Sequence, residues 1–405
     1  MSFFKGILSL LVEKVKYIVN EEDSMAERIL TLRELNRATL ARQLLLERAS
    51  LATLDAIKQI AGLQAQLANA PYIGLWSRLH AFQRDDLTSL LEQRLVVRTS
   101  MMRRTLHLTT AEDYMHFRPA LQIMYRRLLH TYFSKYRLDD REKEHLEATM
   151  QAYLQEKPRT NVDLRAKLAE IAPDMDERLL YMVRMSIPLI QIFPGGVWGV
   201  GGSPAYTEAS AWLRRSFVSS EVGLRSLILS YLMAFGPASV KDIQSWSGLT
   251  RLQPAVDALR TELMVFRDEQ GRELFDVPGA PLPEAETPVS VRFIPDFDNL
   301  LLAHHDRRRI IADTYRPFVF PGNSMVLPTF LVDGFVRGVW KIERTAAGAR
   351  LLIQPFEPLE SNTCAALQAE GERLLHWVAE KTTNLEVVLQ IYDGTLNGQN
   401  MWGRI

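Results

Sequence analysis

Cysteine is all but missing. Cys364 stands alone among 405 residues, which excludes an internal disulfide and any cysteine-built zinc site and suits a reducing, cytoplasmic setting. Net charge is missing too. The 48 basic and 48 acidic residues cancel, so no overall field draws the chain to nucleic acid, and local clusters must carry any such attraction. No apolar run is long and clean enough to span a membrane. The N-terminal stretch is broken by Lys5, Glu13, Lys14 and Lys16 and reads as an amphipathic extension, with Met25 as an alternative start. Several catalytic signatures are also absent. There is no H-E-x-x-H, His304, His305 and Asp306 are adjacent rather than spaced along a face, and no serine lies in G-x-S-x-G, so we expect no metal, no cofactor and no serine nucleophile. The string "GGVWGVGG" has no lysine, which makes it a turn between strands rather than a phosphate loop.

What is present is ample apolar material. Hydrophobic residues make up 47% and charged residues 24%, enough for real cores, and the length predicts two to four packed units. Arginines cluster locally at Arg94/Arg98/Arg103/Arg104, Arg126/Arg127, Arg214/Arg215 and Arg307/Arg308/Arg309, a segregation that would give a neutral protein one basic face. The turn "SMMRRTL" looks like a basic wing. Arg98, Arg103 and Arg104 are its candidate DNA contacts, and His107 beside them is either another or a half-buried strand histidine.

Helices followed by a β pair recur three times. The third round is the clearest: "GLRSLILSYLMAF", "VKDIQSWSGL" and "TRLQPAVDAL" are helices, and "ELMVFRDEQGRELFDV" folds back as two strands. That order is the order of a winged helix, with Pro254 tolerated in the first turn of its helix. A proline-rich, acidic linker follows, and beyond residue 290 the texture turns strand-rich, with a hairpin at Asp333-Gly334. The fold class is therefore α+β and helix-rich, with tandem winged helices and a C-terminal strand-rich lobe. The predicted limits are 1–27 for the extension, 28–115, 116–221 and 222–289 for three winged units, the last with its linker, and 290–405 for the lobe. Asp298, just before "NLLL", is expected to cap a helix, although with Asp296 it could form a carboxylate pair.

The segment "AGLQAQL" poses the sharpest question. Gly62 fits a left-handed helix end and Pro71 the start of the next helix, so Leu63 to Leu67 should be extended. Extension puts Leu63, Ala65 and Leu67 on one face and presents Gln64 and Gln66 together, exposed, on the other. Otherwise they are two solvated loop residues.

The set "GLQAQ", "RRTLHLTTAEDY", "AFGPASVKDIQSWSGL", "FIPDFDNLLLAHHDRRRI" and "LVDGFVRGVWK", in that order, resembles the AlkZ-like family of winged-helix DNA-binding proteins over roughly residues 28 to 380. The resemblance implies tandem winged helices, a β-barrel-like lobe and DNA glycosylase activity toward alkylated purines, interstrand crosslinks included. It also implies that Gln64 and Gln66, matching the family's glutamine, apolar, glutamine-or-aspartate signature around Ala65, are the catalytic pair. The implied partner is damaged double-stranded DNA, met by a monomer away from membranes. The competing expectations are a DNA-binding regulator without catalysis and a protein-interaction scaffold.

Overall fold

The computed structural model describes residues 28–394 apart from 135, 137, 138, 175, 323, 345–347, 380 and 381, so the expected N-terminal extension and its alternative start lie outside the described residues. The chain enters through strand β1 (Ile29–Leu30) and the helix Leu32–Arg42, whose start is fixed by a reciprocal cap between Thr31 and Glu34.

Three rounds of one pattern follow. In the first, helix Thr53–Gln59 leads to the short strand β2 (Leu63–Gln64), helices Ala70–Arg78 and Arg84–Glu92, and the hairpin of β3 (Val96–Ser100) and β4 (Leu106–Thr110). The second repeats it with helix Asp140–Glu156, β5 (Arg159–Thr160), helices Asn161–Ile171 and Arg178–Ser186, and the pair β6 (Leu189–Gln191) and β7 (Ala205–Glu208). In the third, helix Ser220–Phe235, a single bridge from Ala238 to Phe275, helices Val240–Ser247 and Gln253–Asp257, and β8 (Met264–Asp268) with β9 (Glu273–Asp276) take the same places. Each time the short strand pairs with the second strand of the hairpin, the arrangement of a winged helix. Ser239 and Asp242 cap one end of helix Val240–Ser247 and Gly248, in the left-handed region, ends it.

The first two hairpins are not separate wings. β3 pairs with β6, which joins both rounds into one six-stranded sheet in the order β2-β4-β3-β6-β7-β5. "GGVWGVGG" lies in the β6–β7 connection, as a turn.

The C-terminal lobe is a five-stranded sheet running in order through β10 (Arg292–Ile294), β11 (Thr329–Val332), β12 (Phe335–Arg344), β13 (Ala349–Pro355) and β14 (Leu385–Leu389). Its outer strands β10 and β14 do not pair with each other, so the strand-rich lobe is an open sheet. Helix Ser361–Val378 makes the crossover that lets β13 and β14 run parallel. The Asp333-Gly334 turn has both residues at positive φ, as a tight hairpin requires. It is also a docking point: Arg33 and Arg37 bond the Asp333 carboxylate, and a Cβ at Gly334 would lie 2.6 Å from both Asn36 and Leu40 of helix Leu32–Arg42.

The cores cross these units. Val97, Met101 and Met102 of the first round pack with Phe235, Ile243 and Trp246 of the third, and Ile73, Leu75 and Leu87 pack with Phe293, Trp340 and Leu375 of the lobe. Two buried bidentate ion pairs add to this, Arg42 with Asp276 and Arg78 with Asp298. Asp298 also accepts from the Leu300 amide, the expected cap, so its carboxylate is fully engaged. No described helix is long and apolar enough to cross a membrane.

Candidate nucleic-acid interface and glutamine pair

Gly62 sets the site in place. Its φ of +80° turns the chain out of helix Thr53–Gln59, and a Cβ there would sit 2.9 Å from the Leu108 carbonyl, so strand β2 can lie against β4 only with glycine at this point. The extended run is shorter than expected: β2 covers Leu63–Gln64 and the chain bends from Gln66 to Asn69. Leu63 and Ala65 are buried in the core shared with the lobe and the Ala65 amide continues the ladder to the Leu106 carbonyl at 2.7 Å, while Leu67, expected on the same face, is half-buried against a different cluster.

The two amides have different surroundings. Gln66 is exposed, and its Oε1 accepts the Leu106 backbone N–H at 2.7 Å. Gln64 is not exposed as expected: it retains 5% of its surface, because the turn after β3 folds over it. Arg103 Nη2 donates to Gln64 Oε1 at 2.8 Å and to Asn299 Oδ1 at 3.1 Å, while Nη1 donates to the Trp246 carbonyl at 2.6 Å. Asn299 in turn donates to the Gly62 carbonyl at 3.2 Å. A cavity of about 10 Å³, roughly the room one water needs, lies between Gln64, Arg78, Asp296, Asp298 and Asn299.

Amide orientation follows from the partners. A guanidinium and a backbone N–H can only donate, so both glutamines turn their oxygens to these partners and their NH₂ groups away. His107 stands opposite Gln64 across the β2–β4 ladder and is fully buried. Burial, and next the Arg103 charge, push its pKa down to about 3, so the ring is neutral. Its Nδ1–H faces the Thr105 carbonyl at 3.1 Å, which leaves Nε2 as the unprotonated nitrogen. His107 is therefore an internal residue, and its assignment as a DNA contact is corrected.

Arg98 is corrected as well. It is buried, with Nε 3.0 Å and Nη2 2.6 Å from the Ala65 carbonyl, Nη2 3.2 Å from the Gln66 carbonyl, and Nη1 2.6 Å from Gln191 Oε1. It clamps the backbone of the glutamine pair from β3. The expected basic wing is thus mostly a plug: Met101 and Met102 are fully buried and Arg103 points inward, leaving Arg104 as the exposed arginine of that turn.

Arg104 has basic neighbours. Arg127 bonds Thr250 at 2.8 Å, and a Cβ at Gly248 would touch Met124 and Arg103, so the first wing, helix Ala111–Ser134 and the end of helix Val240–Ser247 meet here. Exposed Arg104, Arg127 and Arg251 lie on the segments that meet there, whereas the Arg126 charge sits beside Glu147 of helix Asp140–Glu156. The triple at 307–309 divides instead: Arg309 is buried, Arg308 pairs with Asp306, and Arg307 stacks on Phe320. Sequence reasoning missed Asn299 and Gln191, since neither carries a charge or motif that would single it out.

Comparisons with known proteins give the family and the fold. A family model described as DNA glycosylase AlkZ-like matches residues 57–377. Among solved structures, Streptomyces sahachiroi DNA glycosylase AlkZ has a similar fold, with a TM-score of 0.73 at 19% identity, covering 89% of this chain and 100% of that one. Compared as a sequence with curated proteins, the chain has no match.

Proposed function

The chain belongs to the AlkZ-like DNA glycosylase family, and on that premise we propose that it hydrolyses the N-glycosidic bond of cationic, N7- or N3-alkylated purines in double-stranded DNA, crosslinked ones included, using Gln64 and Gln66. Hydrolysing such a bond ordinarily needs a carboxylate that activates water and steadies positive charge on the sugar. Two amides cannot supply a charge. A purine alkylated at N7 or N3 already carries the charge that acid catalysis would provide, so the base departs readily and only the water has to be placed. An amide can do that, because it both donates and accepts.

The observation that carries this reading is the pair of oriented amides, Gln64 on β2 and Gln66 in the bend just after it, with Leu63 and Ala65 beside them buried. Gln66 is the exposed one and meets the lesion and its water; Gln64 lies behind it as a second donor. The exposed arginines at the junction of the first wing, helix Ala111–Ser134 and helix Val240–Ser247 track the phosphates.

Base release from duplex DNA carrying N7-methylguanine tests the reading. Wild type releases the base, and Gln66→Ala lowers the single-turnover rate by about 10²-fold with DNA affinity and melting temperature unchanged. Gln66→Asp, which adds a carboxylate, keeps or broadens activity. Wild-type protein that binds DNA tightly at low salt yet releases no base would make the chain a DNA-binding protein without catalysis.

A further inference from the structure

Resting on the glycosylase reading, we propose that Arg103 is a positioning residue that holds the Gln64 amide in its working orientation and does not contact a DNA phosphate. Its guanidinium is committed to three acceptors from three parts of the chain: Gln64 Oε1 at 2.8 Å, Asn299 Oδ1 at 3.1 Å and the Trp246 carbonyl at 2.6 Å. Arg104, its neighbour, is exposed and is the residue free of that task.

The geometry is specific to a fixed amide. Flipping Gln64 would set its NH₂ against the guanidinium, donor to donor, so the arginine admits a single orientation. Asn299 is fixed by the same logic, with its oxygen toward Arg103 and its nitrogen donating to the Gly62 carbonyl at 3.2 Å. Gly62, Asn299, Arg103 and Gln64 thereby form one closed hydrogen-bonded loop around the start of β2. The backbone adapts to it: Arg103 and Arg104 have φ of 53° and 63°, a region that non-glycine residues enter at a cost, and it is this turn that carries the Arg103 side chain inward. Burial, and next the charge of Arg307, lower the Arg103 pKa to about 10, which leaves it cationic at neutral pH.

The test is a double-mutant cycle of Arg103→Met and Gln64→Ala, read as single-turnover base release at saturating enzyme. If Arg103 acts through Gln64, each single variant loses about 10-fold to 10²-fold, and the double variant is no slower than Gln64→Ala alone. Affinity for undamaged duplex and its salt slope stay at wild-type values in Arg103→Met, and Arg103→Lys, which keeps one donor, recovers part of the rate. Losses that multiply in the double variant overturn the proposal. So does a salt slope flattened by about one unit with the saturated rate unchanged, the signature of a phosphate contact.

A second arm needs no activity. In protein carrying ¹⁵N-labelled glutamine side chains, the Gln64 NH₂ signal, identified by its loss in Gln64→Ala, is expected to shift in Arg103→Met and less in Arg103→Lys. A signal that stays put in folded Arg103→Met sinks the positioning role. A signal that shifts in a protein whose wild type never releases a base keeps the positioning role and removes the glycosylase reading. Should Arg103→Met fail to fold, Arg103→Lys takes its place in both arms.

Discussion

Arg98 and Arg104 belong to one basic stretch of sequence and face opposite ways. Arg98 ties down the Ala65 and Gln66 carbonyls and Gln191, so Arg98→Met leaves buried acceptors unpaired and should cost about 2–3 kcal/mol of stability by chemical denaturation, with no change in the salt dependence of DNA binding. Arg104→Ala combined with Arg127→Ala should do the reverse. Folding stability stays near wild type while the slope of log affinity against log salt flattens by about one unit per residue, on every DNA sequence tried. Equal slopes in wild type and this pair would take the junction out of the DNA path. Gln64 differs from Gln66 for the same reason of burial. Its removal strips Arg103 of an acceptor, so Gln64→Ala loses stability as well as rate, whereas Gln66→Ala should lose rate alone.

At the scale of elements, the glutamine strand depends on the turn before it. Gly62→Ala puts a methyl group 2.9 Å from the Leu108 carbonyl at a φ of +80°, so the β2–β4 ladder must open. We expect a loss of about 1–3 kcal/mol in thermal or denaturant unfolding and a fall in base release beyond what the stability loss explains; an alanine variant as stable and active as wild type would show that β2 has room to move. Much of this was legible in the sequence. Gly62, the burial of Leu63 and Ala65, the Asp298 cap, the Asp333-Gly334 hairpin, and the helices and hairpin of the third round follow from local rules that need no distant partner, although its third helix is shorter than the pattern suggests. What covers Gln64 was not legible. The buried state of that amide is decided by Arg103 and Asn299, and the inward turn of Arg98 by Gln191, contacts between segments far apart that no local pattern encodes. Arginine clusters misled for a related reason: a guanidinium with a long stem can turn into the protein when backbone carbonyls wait there.

For the whole molecule, two buried histidines set its behaviour in acid. His107 and His304 are both fully buried, and desolvation pushes each pKa down to about 3, from about 6.5 in an unfolded chain. The unfolded state therefore takes up protons that the folded state refuses. Their contribution is complete above pH ~6.5 and is lost as pH falls toward 3, at up to about 1.4 kcal/mol per pH unit for each histidine. Melting temperature should drop steadily between about pH 6.5 and 5, and His304→Gln should make that drop shallower. A melting temperature constant across this range would mean that these rings gain protons without unfolding. The shared sheet has a mechanical consequence. Because β3 and β6 are hydrogen-bonded neighbours, with Arg98 reaching Gln191 and Thr99 bonding the Leu189 carbonyl at 2.5 Å, the first two wings cannot splay around a duplex as fingers on a hinge would. On the glycosylase reading proposed above, a frame held this way would leave the bending and twisting needed for a fit to the DNA, and a helix softened by damage would meet that demand at lower cost than an intact one.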